Sequence, residues 1–65
     1  MDRIKLKSLR KEKHYTQRSL AEKIGISPSF YGMIEANQRR PSVKVAKRMA
    51  DVLGFYWTEF YVENE

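Results

Sequence analysis

Apolar residues return three or four positions apart along most of this chain, and residues that stop helices stand between the runs. That period predicts helices, because 3.6 residues per turn bring such positions onto one face. The central stretch, Gln17 to Ala36, reads QRSLAEKIGISPSFYGMIEA. Its first half sets Leu20, Ala21 and Ile24 on one face, and Gly25 follows, where a left-handed residue commonly ends a helix. Its second half opens with Ser27-Pro28, a capping hydroxyl and a proline at the first helical position. It carries Phe30, Tyr31 and Ile34, with Ile26 just ahead of the cap.

The flanks extend the pattern. Residues 2–13 predict a first helix with Ile4, Leu6 and Leu9 inward, Lys5, Lys7, Lys11 and Lys13 outward, and Arg10 at the edge of the buried face. Tyr15 is expected to pack inward, and Thr16 to cap the second helix. The third helix spans Pro28 to Ala36, and a loop from Asn37 to Pro41 carries Arg39 and Arg40. Ser42 caps a fourth helix whose apolar positions are Val43, Val45, Ala46, Met49, Ala50 and Leu53, with Gly54 closing it and Lys44, Lys47 and Arg48 on its outer side. Trp57 and Phe60 suit a last short helix that closes the core. The expectation is an all-α, compact five-helix domain over residues 1–65, with 62–65 a flexible tail. The short turn at Gly25 forces the second and third helices to cross steeply. That is the geometry of a helix-turn-helix, at about residues 17–36, whose second helix can lie in a DNA major groove.

Charge sharpens this reading. The net charge is +5, but all 13 Lys and Arg lie within residues 1–48. Residues 1–50 hold only four acids, Asp2, Glu12, Glu22 and Glu35, for a net +9, while Asp51, Glu59, Glu63 and Glu65 give residues 51–65 a net −4. A basic body with an acidic end points to a polyanionic partner, though a lysine-rich solvated surface reads the same way. The 65 residues make one small domain, which buries only about 60% of its unfolded surface and gains from pairing with another subunit. No cysteine is present, which removes disulfides and thiolate metal sites and suits a reducing cytoplasm. Met1 to Leu9 is charged throughout, unlike a signal peptide, and no apolar run is long enough for a membrane span.

Candidate chemistry is sparse. His14 is a lone histidine without a partner ligand, so no metal and no cofactor is expected, and no small-molecule ligand is evident. There is no glycine-rich phosphate loop and no acid pair in an evident cleft, which leaves an enzyme unsupported. The start of the second helix offers free backbone N–H groups to an anion, and the Gln17 amide can add a donor there or simply fill an exposed first turn. On the third helix the face opposite Tyr31 and Ile34 is Pro28, Ser29, Gly32 and Met33, neutral and small in a highly charged chain. Gly32 in mid-helix costs ~1 kcal/mol against alanine, which close approach of another molecule would explain, as would local packing. Phe55, Tyr56, Trp57, Phe60 and Tyr61 crowd the end of the chain, and Phe55, Tyr56, Trp57 and Tyr61 are candidates for an interface between subunits.

The run SLRKEKHYTQRSLAEKIGISPSFYGMIEANQRRPSVKVAKRMADVLG resembles the lambda-repressor-like helix-turn-helix family, also called the Cro/CI or Xre type. The likeness covers about residues 4–61 and rests on Leu9-Arg10, Thr16-Gln17, Leu20-Ala21, Gly25, Ser27, Ile34-Glu35, Pro41-Ser42 and Leu53-Gly54 in register. It implies a five-helix fold and a double-stranded DNA partner, in transcriptional control and as a homodimer. Carried over residue by residue, it implies base contacts from Ser27, Pro28, Ser29, Gly32 and Met33. It implies phosphate contacts from Gln17, Arg18, Phe30, Asn37, Arg39, Arg40 and Lys44, and a structural ion pair between Arg10 and Glu35. The reading face departs from the family pattern, which often has Gln, Arg, Asn or Thr there. Bidentate contacts to adenine and guanine are missing at Pro28, Ser29, Gly32 and Met33, so phosphate contacts and DNA shape are expected to carry much of the affinity.

Two functions follow as expectations. One is a sequence-specific transcriptional regulator, a phage-like repressor acting in the cytoplasm on a pseudo-palindromic operator. The other is a protein-interaction module of the same fold, such as an antitoxin-type protein, acting through the aromatic end.

Overall fold

A computed structural model describes residues 1–61, so the tail expected at 62–65 lies outside the described residues. Four α-helices and a terminal 3-10 turn follow one another, with no strand among the described residues: α1 Arg3–Glu12, α2 Gln17–Ile24, α3 Pro28–Glu35, α4 Val43–Leu53, and the turn Trp57–Tyr61. The expected fifth helix is this single 3-10 turn.

Local chemistry sets each boundary. The Asp2 carboxylate accepts the Ile4 N–H at 2.9 Å and starts α1. At α2 the Thr16 hydroxyl accepts the Ser19 N–H while the Ser19 hydroxyl accepts the Thr16 N–H, both at 2.9 Å, a reciprocal capping box. Gly25 ends α2 at φ 78°, and the next N–H, that of Ile26, reaches back to the Ala21 carbonyl at 3.0 Å. Ser27 caps α3 and Ser42 caps α4 through their hydroxyls, and Pro28 opens α3 where its missing N–H is not needed.

The core is Leu6, Leu20, Ala21, Ile24, Tyr31, Ile34, Ala46, Met49, Leu53 and Phe60. Three residues, Gly25 to Ser27, separate α2 from α3, which pack on each other with Ala21 fully buried between larger side chains. α1 closes one side against α3, and α4 joins α2 to the terminal turn, whose Phe60 completes the core. Tyr15 packs on this core as expected from the sequence.

Two apolar expectations need correction. Ile4 is 75% exposed, not inward. It lies two positions from Leu6, about 200° around a helix, so the two cannot share a face. The buried stripe of α1 is Leu6, Leu9 and Arg10, at the i, i+3, i+4 spacing, and a charged residue takes its last place. Val43, in the first turn of α4, is 45% exposed and lies beyond the buried stripe of Ala46, Met49, Ala50 and Leu53.

Candidate nucleic-acid interface

The exposed side of α3 begins at its cap. The Ser27 oxygen accepts the Phe30 N–H at 3.0 Å, which leaves the Ser27 O–H to donate outward. Ser29 is exposed, and Pro28, Gly32 and Met33 are half-buried. A β-carbon added at Gly32 would lie 3.6 Å from Gln17 Oε1, an ordinary contact. Packing inside the chain therefore does not require glycine there. Phe30 packs on the core, half-buried, and its amide serves the cap.

Beneath this face lies a buried polar cluster. Arg10 reaches across from α1, and its Nε and Nη2 each donate to a Glu35 carboxylate oxygen at 2.9 Å, a two-pronged pair. Its third donor, Nη1, meets the Tyr15 carbonyl at 2.9 Å, and Arg10 is only 7% exposed. The Gln17 amide donates from the start of α2 to Glu35 Oε1 at 3.2 Å. One carboxylate at the end of α3 thus ties α1 and α2 to the helix with the exposed small face.

Burial alone would raise the Glu35 pKa, but the donors of Arg10, Tyr31 and Gln17 around it outweigh this and hold its carboxyl below the usual carboxylate range. The same hydrogen bonds raise Arg10. Burial raises the Tyr31 hydroxyl far above its ordinary value. That hydroxyl lies beside the pair without a partner in full hydrogen-bond geometry. All three groups hold a single protonation state across neutral pH.

Exposed donors and cations lie on the elements before and after α3. Gln17 and Arg18 form the exposed first turn of α2, and Lys44 is exposed on α4. Asn37, just past α3, takes a left-handed conformation at φ 62°, and turns the chain into an exposed loop carrying Arg39 and Arg40.

The aromatic end is more self-contained than its density predicts. Phe55 meets Phe60 edge to face at 5.6 Å, and Trp57 meets Tyr61 at 6.0 Å. The Tyr61 hydroxyl donates to the Pro41 carbonyl at 2.9 Å. Tyr56 alone stands out, 82% exposed, beside an open groove of about 420 Å³ lined by Lys5, Leu9, Gly54, Phe55 and Glu59.

Several cations are engaged within the fold. Lys47 lies 5.1 Å over the Trp57 ring. Arg48 donates to the Ile24 carbonyl at 3.2 Å, helping to close α2. Arg3 lies 4.8 Å over Phe60 and Arg40 5.7 Å over Tyr61. Nothing in the local sequence marks these four, because each partner ring or carbonyl belongs to another element.

Comparison with known proteins agrees with this geometry. The helix-turn-helix family model matches residues 6–60. The uncharacterised HTH-type transcriptional regulator YqaF of Bacillus subtilis is 45% identical over 56 residues, covering 86% of this chain and 74% of YqaF. A second uncharacterised HTH-type regulator of that organism, YazB, is 43% identical over 49 residues, 75% of this chain and 71% of YazB. The HTH-type transcriptional regulator SinR of the same organism is 40% identical over 50 residues, 75% of this chain but only 45% of SinR. No solved structure matches the chain. Among the described residues no helix is long and apolar enough to cross a membrane. Two packed helices, α2 and α3, joined by a three-residue turn, together with a family match over nearly the whole chain, place this protein in the Cro/CI-like helix-turn-helix family of DNA-binding transcriptional regulators, which are not enzymes.

Proposed function

We propose that the protein is a cytoplasmic repressor that binds a pseudo-palindromic operator as a homodimer, with α3 in the major groove. The observation that supports this reading is the neutral outer face of α3 with Gln17 beside Gly32, while Arg18, Arg39, Arg40 and Lys44 are exposed on the elements before and after it. In the proposed complex Ser27 and Ser29 donate to base edges, Met33 lies on a thymine methyl, and Pro28 and Gly32 let the helix approach closely. Gln17, Arg18, Asn37, Arg39, Arg40 and Lys44 meet phosphates, and Phe30 lends its ring edge. Hydroxyl and apolar contacts discriminate weakly, so the phosphate contacts position the helix and DNA shape contributes to the choice of sequence.

The proposed dimer uses Tyr56 and its neighbours, with Phe55 flanking the groove and Trp57 and Tyr61 supporting the turn from behind. Two α3 helices about 34 Å apart would enter successive major grooves on one side of the duplex. A dimer seated over two turns of a promoter blocks polymerase, which is why repression is the proposed outcome.

The test is selection of bound sequences from random duplex DNA, followed by salt titration on the winner. An enriched inverted repeat with half-sites one turn apart supports the reading. Binding to any duplex without enrichment refutes sequence-specific control. Met33→Ala is expected to change the preferred sequence more than the overall affinity, and an unchanged preference removes Met33 from the reading face. The groove beside Tyr56 favours one other reading, docking of a different protein on this end. A chain that captures no DNA and stays monomeric up to millimolar concentration would turn attention there.

A further inference from the structure

Gln17 is the exposed first residue of α2, and its side chain lies against α3 between Glu35 and Gly32. Its amide nitrogen donates to Glu35 Oε1 at 3.2 Å. Its amide oxygen faces Gly32. A β-carbon built at Gly32 would lie 3.6 Å from that oxygen, and no other side chain beyond the chain neighbours of Gly32 comes within 4 Å of the same point. The two ends of an amide match in shape but not in hydrogen bonding, and Glu35 decides which way this one lies. Arg10 donates twice to the Glu35 carboxylate and keeps it ionised, so both of its oxygens only accept. The reversed amide would set oxygen against oxygen and lose the bond. The nitrogen therefore points to Glu35 and the carbonyl to Gly32. That carbonyl accepts from no donor among the described residues. On the neighbouring face of α3 the exposed Ser29 hydroxyl turns to donate or accept as a base requires, and Pro28, Gly32 and Met33 offer at most a weak acceptor.

We propose that the Gln17 carbonyl reads DNA sequence, accepting a hydrogen bond from the exocyclic amine of an adenine or cytosine brought over Gly32. In the major groove those two bases present an N–H donor, while guanine and thymine present an oxygen acceptor at the corresponding edge. An atom that only accepts favours the first two and repels the others. Gly32 belongs to this arrangement, because a side chain there would stand against the carbonyl and cover it. The inference rests on the DNA-binding reading and adds a base contact to a residue given a phosphate there. The second hydrogen of the amide nitrogen is left for that phosphate.

The experiment selects bound sequences from random duplex DNA with the full chain and with Gln17→Met, which keeps the length of the side chain but has neither end of the amide. Thermal unfolding checks that both are folded. Wild type is expected to enrich adenine or cytosine at one position of each half-site, and Gln17→Met to lose that preference while the other positions keep theirs. On the winning site the exocyclic amine is then removed, with purine in place of adenine or pyrimidin-2-one in place of cytosine. Removal also costs the duplex a pairing bond, which both proteins feel alike, so the difference between them is the measure. It is expected to weaken wild type about three- to tenfold more than Gln17→Met, the worth of one neutral hydrogen bond. A phosphate contact alone gives another pattern: Gln17→Met binds every sequence more weakly by one factor, keeps every preference, and loses as much as wild type when the amine is removed. That result overturns the proposal and leaves the DNA-binding reading standing. A wild type that enriches no sequence removes both together. Should Gln17→Met fail to fold, the Gln17 side-chain carbonyl-carbon resonance of the wild type is followed on adding each duplex. A larger shift with the amine-bearing duplex supports the contact, and equal shifts overturn it.

Discussion

Replacing Gly32 by alanine separates what α3 needs for folding from what it needs for DNA. Glycine inside a helix is ~1 kcal/mol less favourable than alanine, and Gly32 lies in the middle of an eight-residue helix. The new methyl group would stand 3.6 Å from Gln17 Oε1, an ordinary contact, so folding pays little in return. The largest offset is a small shift of Gln17 that weakens, without breaking, its 3.2 Å bond to Glu35, a bond to a charged group worth about 1.5–3 kcal/mol if wholly lost. The net expectation is a gain of about 0.5 kcal/mol, at most 1, or about 2–8 °C in Tm for a domain of this size. Binding should move the other way. A side chain on the outer face of α3 holds the helix off the floor of the groove, and a loss of tenfold or more in operator affinity, about 1.4 kcal/mol, is expected. Thermal unfolding and fluorescence anisotropy on the same preparation read the two effects. Affinity that stays level or rises with Tm would refute close approach at Gly32 and leave the glycine without a role.

Three further predictions concern the buried cluster. Arg10→Met and Glu35→Leu should each destabilise by about 3–5 kcal/mol by stranding a buried charge, while the double change should be milder than either. Urea titration of the four proteins checks this, and a double variant as unstable as the worse single would reject the pair as a unit. Since the folded pKa of Glu35 lies below its ordinary value of 4.5, its contribution is whole above that pH and is lost as the pH falls through the folded value. Stability should therefore drop in acid below about pH 4.5 by a larger step in the wild type than in the double variant, and equal steps would exclude Glu35 as the cause. Tyr31→Phe removes a buried hydroxyl that lacks a well-formed bond, so a change within about 1 kcal/mol is expected by the same titration, and a loss above 2 would show that the hydroxyl bonds the pair.

The parts of this structure written in neighbouring residues were legible, and those that depend on distant partners were not. Thr16, Ser27 and Ser42 act on N–H groups three residues ahead, and Gly25 and Gly54 adopt φ 78° where a helix must turn away. Such effects are complete within a few residues, so helix limits came within a residue or two. Hydrophobicity alone places Ile4 inward, but two steps from Leu6 is the opposite side of a helix, and Ile4 is exposed. At the aromatic end Phe60 is core, as the sequence suggests, while Phe55 leans on it and Tyr61 is anchored to Pro41 twenty residues earlier, contacts that no local pattern announces. Only Tyr56 is left well exposed, which narrows the surface on offer to a second subunit.

The candidate interface shows the same division at finer grain. The small outer face of α3 can be read from helix periodicity alone, since Tyr31 and Ile34 must point inward. The orientation of that face cannot, because it is set by Glu35, whose two oxygens receive Arg10 from α1 and Gln17 from α2. Gln17 is at once a ligand of this carboxylate, a neighbour of Gly32 and the first residue of the helix proposed to meet phosphate. Its amide nitrogen carries a second hydrogen, so it can hold Glu35 and donate to a phosphate together. A phosphate bound there is then felt one bond away by the residue that ends the recognition helix. Buried charge in so small a core adds little net stability over an apolar pair, so its use here is better explained by geometry. It fixes the angle at which α3 is presented relative to the first turn of α2, and the proposed interface, with few base-specific side chains, would depend on that angle.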